Sequence, residues 1–568
     1  MIRFYILFIS VFCFLLSCST PKEEQVKIIG KGGKTYGGKF NFMSKEKVDN
    51  LFPLYAYNVF AQRINLQIFE TLLKTDPQTN EIVPGLAESY KVSSDGKKYT
   101  FKIRKGVYFH PNPCFSNDKH LLNAYDVKYT LEFACSGLKI NKQSALLVGK
   151  IKGSKQYYNQ SSKKLYKNGI AGIKVIDDYT LQVDLENSFA KFDLLLTHPS
   201  LSIFPIEAYQ KYGDKIGLHP IGTGPFVLNN MSSSGILLSK NNNYWRSDDL
   251  GNKLPFLDTI EMTYIKTKKS ELESFKKNEI DMVMEVPVEH VKSMFGSLKD
   301  AQNGKNTPHK VFSQSSYSVN YIAFSCAQKP FDNPKVRKAI NLAVDRNRIV
   351  EEALNGEGYM AKNGFVPEIT GYNSELVIGV DYNPDLARKL LKEAGFPNGK
   401  GFPSISLWVN TVKGTLSYNW CLDYVKQLKK VLNIELKIKL CTINERELAI
   451  EMGEALCWRA GWVADYPDAE GFLSIFYSEN KFGKNGLNAF QYINDSFDTS
   501  YLMALVERDP IKRGEYLVAC DQQIIDDAVV VPVYRDDFLV FLNLKVRDFS
   551  VNSMEIIDLS SVYIKEIK

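Results

Sequence analysis

The sequence lacks the patterns that catalytic and metal-binding proteins commonly carry. Its 568 residues include six histidines, and no two of them are four residues apart, the spacing that places two zinc ligands on one helix face. It has no Cys-x-x-Cys pair and no Gly-x-Ser-x-Gly nucleophile turn. We therefore expect no catalytic residue, no metal and no cofactor, and we interpret the chain as a non-enzyme.

An excess of one charge is also missing. The 71 lysines and arginines are nearly balanced by 64 acidic residues, which leaves a net charge of +7. A surplus this small on a chain this long is typical of a solvated surface, so we expect no nucleic-acid partner. The chain is too long for one hydrophobic core, and two or three domains are expected.

Long apolar runs are absent except near the start of the chain. Residues 4–16 are almost wholly apolar, but about 13 residues are too few to span a bilayer comfortably and fit the core of a signal peptide. The run ends in Leu15-Leu16-Ser17-Cys18, which resembles the bacterial lipobox, where a small residue precedes the cysteine that is lipidated.

This pattern predicts an exported protein with a lipid anchor. We expect residues 1–18 to be a lipoprotein signal peptide, Cys18 to be the lipidated residue and residues 19–26 to be a polar tether. The protein would then be held to a membrane in the periplasm or at the cell surface. A plain cleavable signal with an incidental cysteine is the alternative.

Seven of the nine cysteines remain once Cys13 and Cys18 are set aside. Export permits disulfides, but an odd number leaves at least one thiol unpaired within the chain. Cys114 and Cys135 bracket one short segment and are the best candidates for a disulfide. Two buried thiols are the alternative.

Periodicity predicts a mixed α/β protein. Apolar and polar residues alternate over 99–104, 181–186 and 434–440, as in strands with one buried face. Asn333-Pro334 and Asn383-Pro384 each resemble a helix cap followed by proline. Asn123 with Asp126 three residues later predicts a capping box. Gly222-Thr223-Gly224-Pro225-Phe226 lacks the lysine of a phosphate loop and is interpreted as a turn between strands.

Seven blocks in a fixed order resemble the oligopeptide- and dipeptide-binding proteins of ATP-binding-cassette importers. The most extensive runs from Pro84-Gly85-Leu86-Ala87-Glu88-Ser89-Tyr90 to His110. The other blocks are Ile68–Leu72, Ala124–Val127, Gly222–Phe226, Asn243–Arg246, Asn333–Ile340 and Gly461–Asp468. Together they cover nearly all of the chain beyond the signal segment.

The resemblance implies an α/β fold of the periplasmic-binding-protein type, with two lobes and an additional α/β domain. Lobe I would comprise residues 27–69, 198–314 and 534–568. The additional domain would be residues 70–197 and lobe II residues 315–533. The ligand would lie in the cleft between the lobes.

The resemblance also implies ligand-binding residues in lobe II. In peptide-binding members, an aspartate of the Gly-Trp-x-x-Asp block pairs with the α-ammonium of the peptide, and Asp465 matches it. Trp462 matches a ring that flanks a ligand side chain, and the backbones of Gly461 and Val463 match positions that bond an extended peptide. The alternatives are that Asp465 caps a turn and that Trp462 is a core residue.

On the opposite lobe, Tyr57 and Val59 match ligand-contacting positions by spacing alone. The sequence departs from some relatives in carrying Val463 where they have a cysteine, and in a longer segment at 113–119. No residue for the C-terminal carboxylate of a peptide can be identified, so ligand length stays open.

The resemblance thus predicts a monomeric substrate-binding lipoprotein that captures peptides and delivers them to the permease subunits of an importer. A binding protein of the same fold for a non-peptide solute or a signalling peptide is an alternative. A surface lipoprotein hydrolase and a structural or adhesive lipoprotein are further alternatives.

Overall fold

A computed structural model describes residues 28–44, 46–55, 59–76, 79–117, 120–265, 267–284, 309–464, 466–482 and 486–566. Two large sheets and one smaller sheet organise these residues, with helices packed between and around them. Within these ranges, no helix is both long enough and apolar enough to cross a bilayer.

The largest sheet has seven strands that come from both ends and the middle of the chain. In spatial order they are His309–Ser315, Asp537–Asn543, Met282–Met284, Lys39–Ser44, Thr259–Tyr264, Gly235–Lys240 and Phe226–Ser232. Lys39–Ser44 runs parallel to both of its neighbours, and the other pairs are antiparallel. All seven strands fall within the ranges expected for lobe I, except that His309–Ser315 ends one residue beyond the expected limit.

The second large sheet has six strands. In spatial order they are Tyr359–Met360, Val530–Arg535, Ser318–Phe324, Cys457–Val463, Ile405–Val409 and Leu436–Leu440. Ser318–Phe324 is buried along its whole length. Its side chains alternate between two core clusters, with Tyr321 in one and Ile322 in the other. Both faces of this sheet are therefore covered.

A third, antiparallel sheet is inserted in sequence between two strands of the first sheet, Lys39–Ser44 and Phe226–Ser232. Its strands are Ala87–Val92, Lys98–Ile103, Thr180–Asp184 and Ile173–Asp177. Tyr99, Phe101 and Ile103 are buried, as their alternation predicts. Small two-stranded pairs form at Leu73–Thr75 with Ile82–Pro84 and at Val546–Arg547 with Tyr563–Ile564. The domain limits given above stay a prediction, although each of the three sheets fits within one expected domain to within two residues.

The helices begin where the sequence places caps. Their bounds are Val59–Ile68, Ala124–Ala134, Ser154–Gln160, Phe192–Leu195, Ile206–Tyr212, Lys268–Lys276, Pro334–Leu342, Arg346–Arg348, Pro384–Glu393, Leu416–Leu432, Ile443–Glu451, Glu470–Leu473, Asp495–Val506 and Pro510–Asp526. Asn333 accepts from the amide of Lys335 at 3.0 Å. Asn123 and Asp126 form the predicted capping box. Both predictions are confirmed. Caps can be predicted from the sequence because they depend on residues that are close together in it.

The Gly222–Phe226 segment has a different place from the one expected. It connects the 3-10 helix Gly213–Leu218 to the strand that begins at Phe226, and it does not join two strands. Its glycines allow a close approach to the chain at Ile68. A Cβ atom at Gly222 would lie 2.1 Å from the carbonyl oxygen of Ile68, and one at Gly224 would lie 2.6 Å away. Only glycine fits at such separations.

The predicted disulfide between Cys114 and Cys135 is wrong. All seven cysteines in the described part of the chain are unpaired. Cys135 ends the helix Ala124–Ala134 and is fully buried. Cys114 lies near Glu207, which is beside Asp126 in the first turn of that helix. A helix of this length spans about 16 Å, more than twice the roughly 7 Å that a disulfide allows between Cα atoms.

Candidate functional site

A cavity of about 240 Å³ lies where the six-stranded sheet faces the helix Val59–Ile68. Its lining residues are Val59, Gln62, Arg63, Leu66, His198, Pro199, Val463, Ala464, Met554, Glu555 and Ile556. The helix packs against the strand Phe226–Ser232 of the seven-stranded sheet. The cavity is therefore bounded by a strand of the six-stranded sheet and by a helix that packs on the seven-stranded sheet.

One face of the helix Val59–Ile68 supplies four of these residues. Val59, Gln62, Arg63 and Leu66 stand at i, i+3, i+4 and i+7, the spacing of a single helix face. The helix thus stands between a core and a cleft, because its other face, which includes Ile64, is buried.

The strand Cys457–Val463 has an open edge beside the cavity. On one side it pairs with Ser318–Phe324 along its full length. On the other side, Ile405–Val409 pairs with it only at Cys457 and Trp458. Within the described residues, no strand therefore covers Gly461 to Val463 on that side, and this segment can accept an added strand.

The register shows which backbone groups face the open edge. The amide of Ala464 donates to the carbonyl of Tyr317 at 2.9 Å, so these opposed residues form a hydrogen-bonded pair. Hydrogen-bonded and non-hydrogen-bonded pairs alternate along an antiparallel ladder. The pairs of Gly461 with Asn320 and of Val463 with Ser318 are consequently non-hydrogen-bonded. Gly461 and Val463 direct their N–H and C=O groups away from that partner strand, towards the open edge.

A side chain occupies the same edge of the strand at Arg459, two residues before Gly461. The carbonyl of Arg459 also faces this side, and the side chain of Arg446 donates to it at 2.9 Å. A guanidinium thus fills the position just before Gly461. The free backbone groups begin at Gly461 and continue to the cavity, which Val463 lines with 45% of its surface exposed.

A buried ion pair forms part of the cavity wall. Arg63 donates to Glu555 at 2.9 Å, and the guanidinium lies 4.9 Å from the ring centre of Phe538. Ser316 donates to the other carboxylate oxygen of Glu555 at 3.0 Å. Their side chains are only 6% and 17% exposed, so a polar ligand would meet an electrostatic field that water screens weakly.

His198 is the other titratable group of the wall. Its Nδ1 accepts from the amide of Ser200 at 3.1 Å, which places the proton of the neutral ring on Nε2. Burial lowers the pKa of His198 to about 4. The ring is therefore neutral near pH 7 and can act as a hydrogen-bond donor to a ligand oxygen.

The comparisons with known proteins agree with this geometry. Residues 81–484 match the model for the middle region of the bacterial extracellular solute-binding proteins, family 5. The match covers well over half of the chain. This protein belongs to that family.

Relatives of this family 5 protein extend the match to most of the chain. It is 28% identical to the glutathione-binding protein GsiB of Escherichia coli O1:K1 over 525 residues, 91% of this chain and 90% of GsiB. It is 29% identical to the GsiB of Salmonella choleraesuis over 466 residues, 81% of each chain.

Solved structures share the fold of the family 5 protein. The peptide-bound DppA of Helicobacter pylori superposes with a TM-score of 0.74 at 24% identity, over 94% of this chain and 99% of that one. The oligopeptide-binding protein OppAIV of Borrelia burgdorferi gives 0.74 at 25% identity, over 93% and 100%. The predicted two-lobed α/β fold is confirmed, and a solute-binding role, exported from the cytoplasm, follows from the family.

Three predicted site residues of the family 5 protein lie outside the described residues: Cys18, Tyr57 and Asp465. Val59 and Val463 both line the cavity, on opposite sides. Gly461 lies on the open edge. These placements agree with the roles that the resemblance implies, which stay predictions.

Trp462 points to the opposite face of the strand from Gly461 and Val463. It is partly buried against the aromatic core cluster that contains Tyr317. Its indole Nε1 is buried and has no hydrogen-bond partner among the described residues. The ring therefore packs on the core side of the sheet, which agrees in part with the alternative that Trp462 is a core residue.

Sequence reasoning missed Arg63, His198 and Glu555. The helical spacing of Val59, Gln62, Arg63 and Leu66 could have indicated Arg63, because Val59 was already a candidate. No local signal indicates Glu555, which reaches the cavity from a turn where its φ is +57°. Such a turn is visible only in three dimensions.

Proposed function

We propose that this family 5 protein is a non-enzymatic lipoprotein that captures peptides in the cleft and delivers them to the permease of an ATP-binding-cassette importer. The observation that carries the proposal is the open edge at Gly461 and Val463. A peptide added there as a strand is recognised through its main chain, whatever its side chains are.

The edge offers enough hydrogen bonds for useful affinity. Two residues present two N–H and two C=O groups, and each bond contributes roughly 0.5–1.5 kcal/mol net. Four bonds therefore contribute about 2–6 kcal/mol. Close interfacial ion pairs have coupling energies of about 1.5–7 kcal/mol, and one such pair added to these bonds reaches the range of the roughly 8.2 kcal/mol of micromolar binding.

Asp465 is proposed as the partner of the peptide α-ammonium. Its neighbour Ala464 lines the cavity. Ala464 and Tyr466 are buried, with 7% and 6% of their surfaces exposed, so a ligand group that contacts Ala464 in the cavity is largely shielded from water. A charged ligand terminus in such a place needs an opposite charge, because an unpaired buried charge costs several kcal/mol.

The cavity volume favours a short ligand. It lies just under the roughly 300–1,000 Å³ that is common for drug-sized molecules. A ligand that contacts the helix Val59–Ile68 and the edge at Val463 together would favour the closed arrangement of the lobes by its differential affinity. A permease would then recognise the closed form.

Glutathione is a second candidate ligand. The relatives named for binding it are similar to this chain over about nine-tenths of its length. Glutathione carries one ammonium and two carboxylates, and the wall of the cavity holds Arg63 and His198 as donors.

Calorimetry can separate these proposals. The mature chain would be titrated with tripeptides, their N-acetylated forms and glutathione, and the Asp465→Asn variant, which has nearly the same size, would be titrated with the same ligands. We expect N-acetylation and Asp465→Asn each to weaken binding by at least about 30-fold. Equal binding of acetylated peptides would remove the ammonium role, and failure of every peptide and of glutathione would overturn the proposed ligand class.

Two further measurements test the remaining parts. Mass spectrometry of the peptides after long incubation should find no cleavage products, and their appearance would overturn the non-enzymatic role. Metabolic labelling with a fatty-acid analogue should mark the full-length protein and not the Cys18→Ser variant. Equal labelling of both would refute the anchor at Cys18.

A further inference from the structure

A second group of side chains, none of which lines the cavity described above, has the composition of a metal site. His120, Asp126 and Glu207 each present one ligand atom, and these atoms all lie within 4.8 Å of one another. His120 follows the long segment at 113–119, Asp126 is in the first turn of the helix Ala124–Ala134, and Glu207 is in the helix Ile206–Tyr212.

Two of the three side chains carry a buried atom that makes no hydrogen bond among the described residues. Nε2 of His120 and Oε2 of Glu207 make no hydrogen bond within the described part of the chain. Burying such atoms without a partner typically costs about 1–3 kcal/mol each. A cation between them would satisfy both atoms at once.

The carboxylate of Asp126 is oriented by the capping box at the start of its helix. Oδ2 of Asp126 accepts from the amide of Asn123 at 3.0 Å, which leaves Oδ1 facing Nε2 of His120 at 3.5 Å. This separation is long for a hydrogen bond. It is close to the roughly 3.4 Å that separates two ligands of a tetrahedral ion with bonds of about 2.0–2.1 Å.

The imidazole of His120 is fixed by stacking. The ring of Phe115 lies 4.7 Å from it with an interplanar angle of 4°. Phe109 packs on the ring at 5.7 Å. A ligand held in one orientation loses little freedom when it binds an ion.

We propose that His120, Asp126 and Glu207 bind a divalent transition-metal ion such as Zn²⁺, with the fourth position open to water. One imidazole and two carboxylates suit this class of ion. The ion would join the helices Ala124–Ala134 and Ile206–Tyr212, which pack together in the fold. The role is structural and separate from the peptide cleft. No zinc pattern is visible in the sequence because the ligands come from three separate segments, and the last two ligands are 81 positions apart.

The test uses the full chain without a histidine tag, stripped with chelator and titrated with Zn²⁺. We expect one ion per chain by native mass spectrometry and a rise in unfolding temperature of about 2 °C at 100-fold excess over Kd. Glu207→Gln, which has nearly the same shape, and His120→Ala should each weaken binding by at least about 10-fold. The matched control is His219→Ala, which removes an exposed histidine outside the group.

The outcomes decide between clear alternatives. Absence of binding tighter than about 100 µM overturns the proposal. So does binding that survives both His120→Ala and Glu207→Gln, because the ion is then held elsewhere. If His120→Ala fails to fold, Glu207→Gln alone decides, and circular dichroism of each stripped variant reports its folding.

Discussion

The buried carboxylate of Glu70 allows a sharp test of what maintains this fold. Its side chain is fully buried and accepts hydrogen bonds from four others. Lys74 and Tyr244 donate to Oε1 at 2.9 and 3.0 Å. Thr223 and Trp245 donate to Oε2 at 3.0 and 2.8 Å. Three of the family-like blocks therefore meet at one residue.

We expect Glu70→Gln to lower the free energy of unfolding by about 3–5 kcal/mol. The amide nitrogen would replace one oxygen and leave two buried donors without an acceptor, at about 1–3 kcal/mol each. Breaking a buried ion pair, here the one with Lys74, costs a similar 3–5 kcal/mol. For a chain of this length that unfolds as one unit, this corresponds to a fall in unfolding temperature of roughly 3–4 °C.

Urea unfolding followed by circular dichroism at pH 7 measures this difference. The control is Glu88→Gln, the same substitution at an exposed residue of the strand Ala87–Val92, which should change stability by less than about 0.5 kcal/mol. A loss below about 1 kcal/mol for Glu70→Gln, or one equal to the control, would refute the role of Glu70 as a shared acceptor.

The pH dependence adds an independent check. Burial alone would raise the pKa of Glu70, but the charge of Lys74 and the hydrogen bonds outweigh it, so the net pKa is below the ordinary 4.5. A lowered pKa in the folded state contributes stability above the unfolded value, and this contribution is lost as the pH falls through the folded value. The gap between wild type and Glu70→Gln should therefore narrow below about pH 4.5.

Three further predictions concern the cleft and its surroundings. Calorimetry should show peptide affinity about 2- to 10-fold weaker for Val463→Pro, which lacks the edge-facing amide, and nearly unchanged for Val463→Ala. Arg513 donates two hydrogen bonds to the carboxylate of Asp468, at 2.7 and 2.8 Å. Urea unfolding should therefore show that Asp468→Asn lowers the free energy of unfolding by about 3–5 kcal/mol, and that replacing both residues by leucine lowers it less. Burial lowers the pKa of His198 to about 4, so the unfolded state binds a proton more readily than the folded state as the pH falls. The free energy of unfolding should therefore fall by about 2 kcal/mol between pH 7 and pH 5 because of this residue, and the His198→Gln variant should not show that part of the decrease.

Local features of the fold could be predicted from the sequence, and distant ones could not. The cap at Asn333 and the alternation around Phe101 depend on neighbours within a few residues, and both predictions hold. The open edge at Val463 depends on a pairing with Ser318 that spans about 145 residues and on where Ile405–Val409 ends. No periodicity within the strand Cys457–Val463 carries that information.

The error over Cys114 and Cys135 has the same origin. Their short separation in sequence indicated a pair, but the intervening helix holds the two thiols at its opposite ends. The metal group is the converse case. His120 and Glu207 are far apart in sequence, and only the packing of two helices brings them together.

The contrast between Glu70 and Gly461 explains how one fold can serve many ligands. Side chains that make this sequence resemble its family, such as Glu70 and Asp468, are buried and accept hydrogen bonds from other side chains of the fold, so changing them destabilises it. The groups proposed to hold the ligand are mostly backbone N–H and C=O groups, which every residue type supplies. Side-chain substitutions around the cavity can therefore change ligand preference without disturbing the network that maintains the fold. On this argument a sequence identity near 28% constrains the architecture closely and the ligand only loosely.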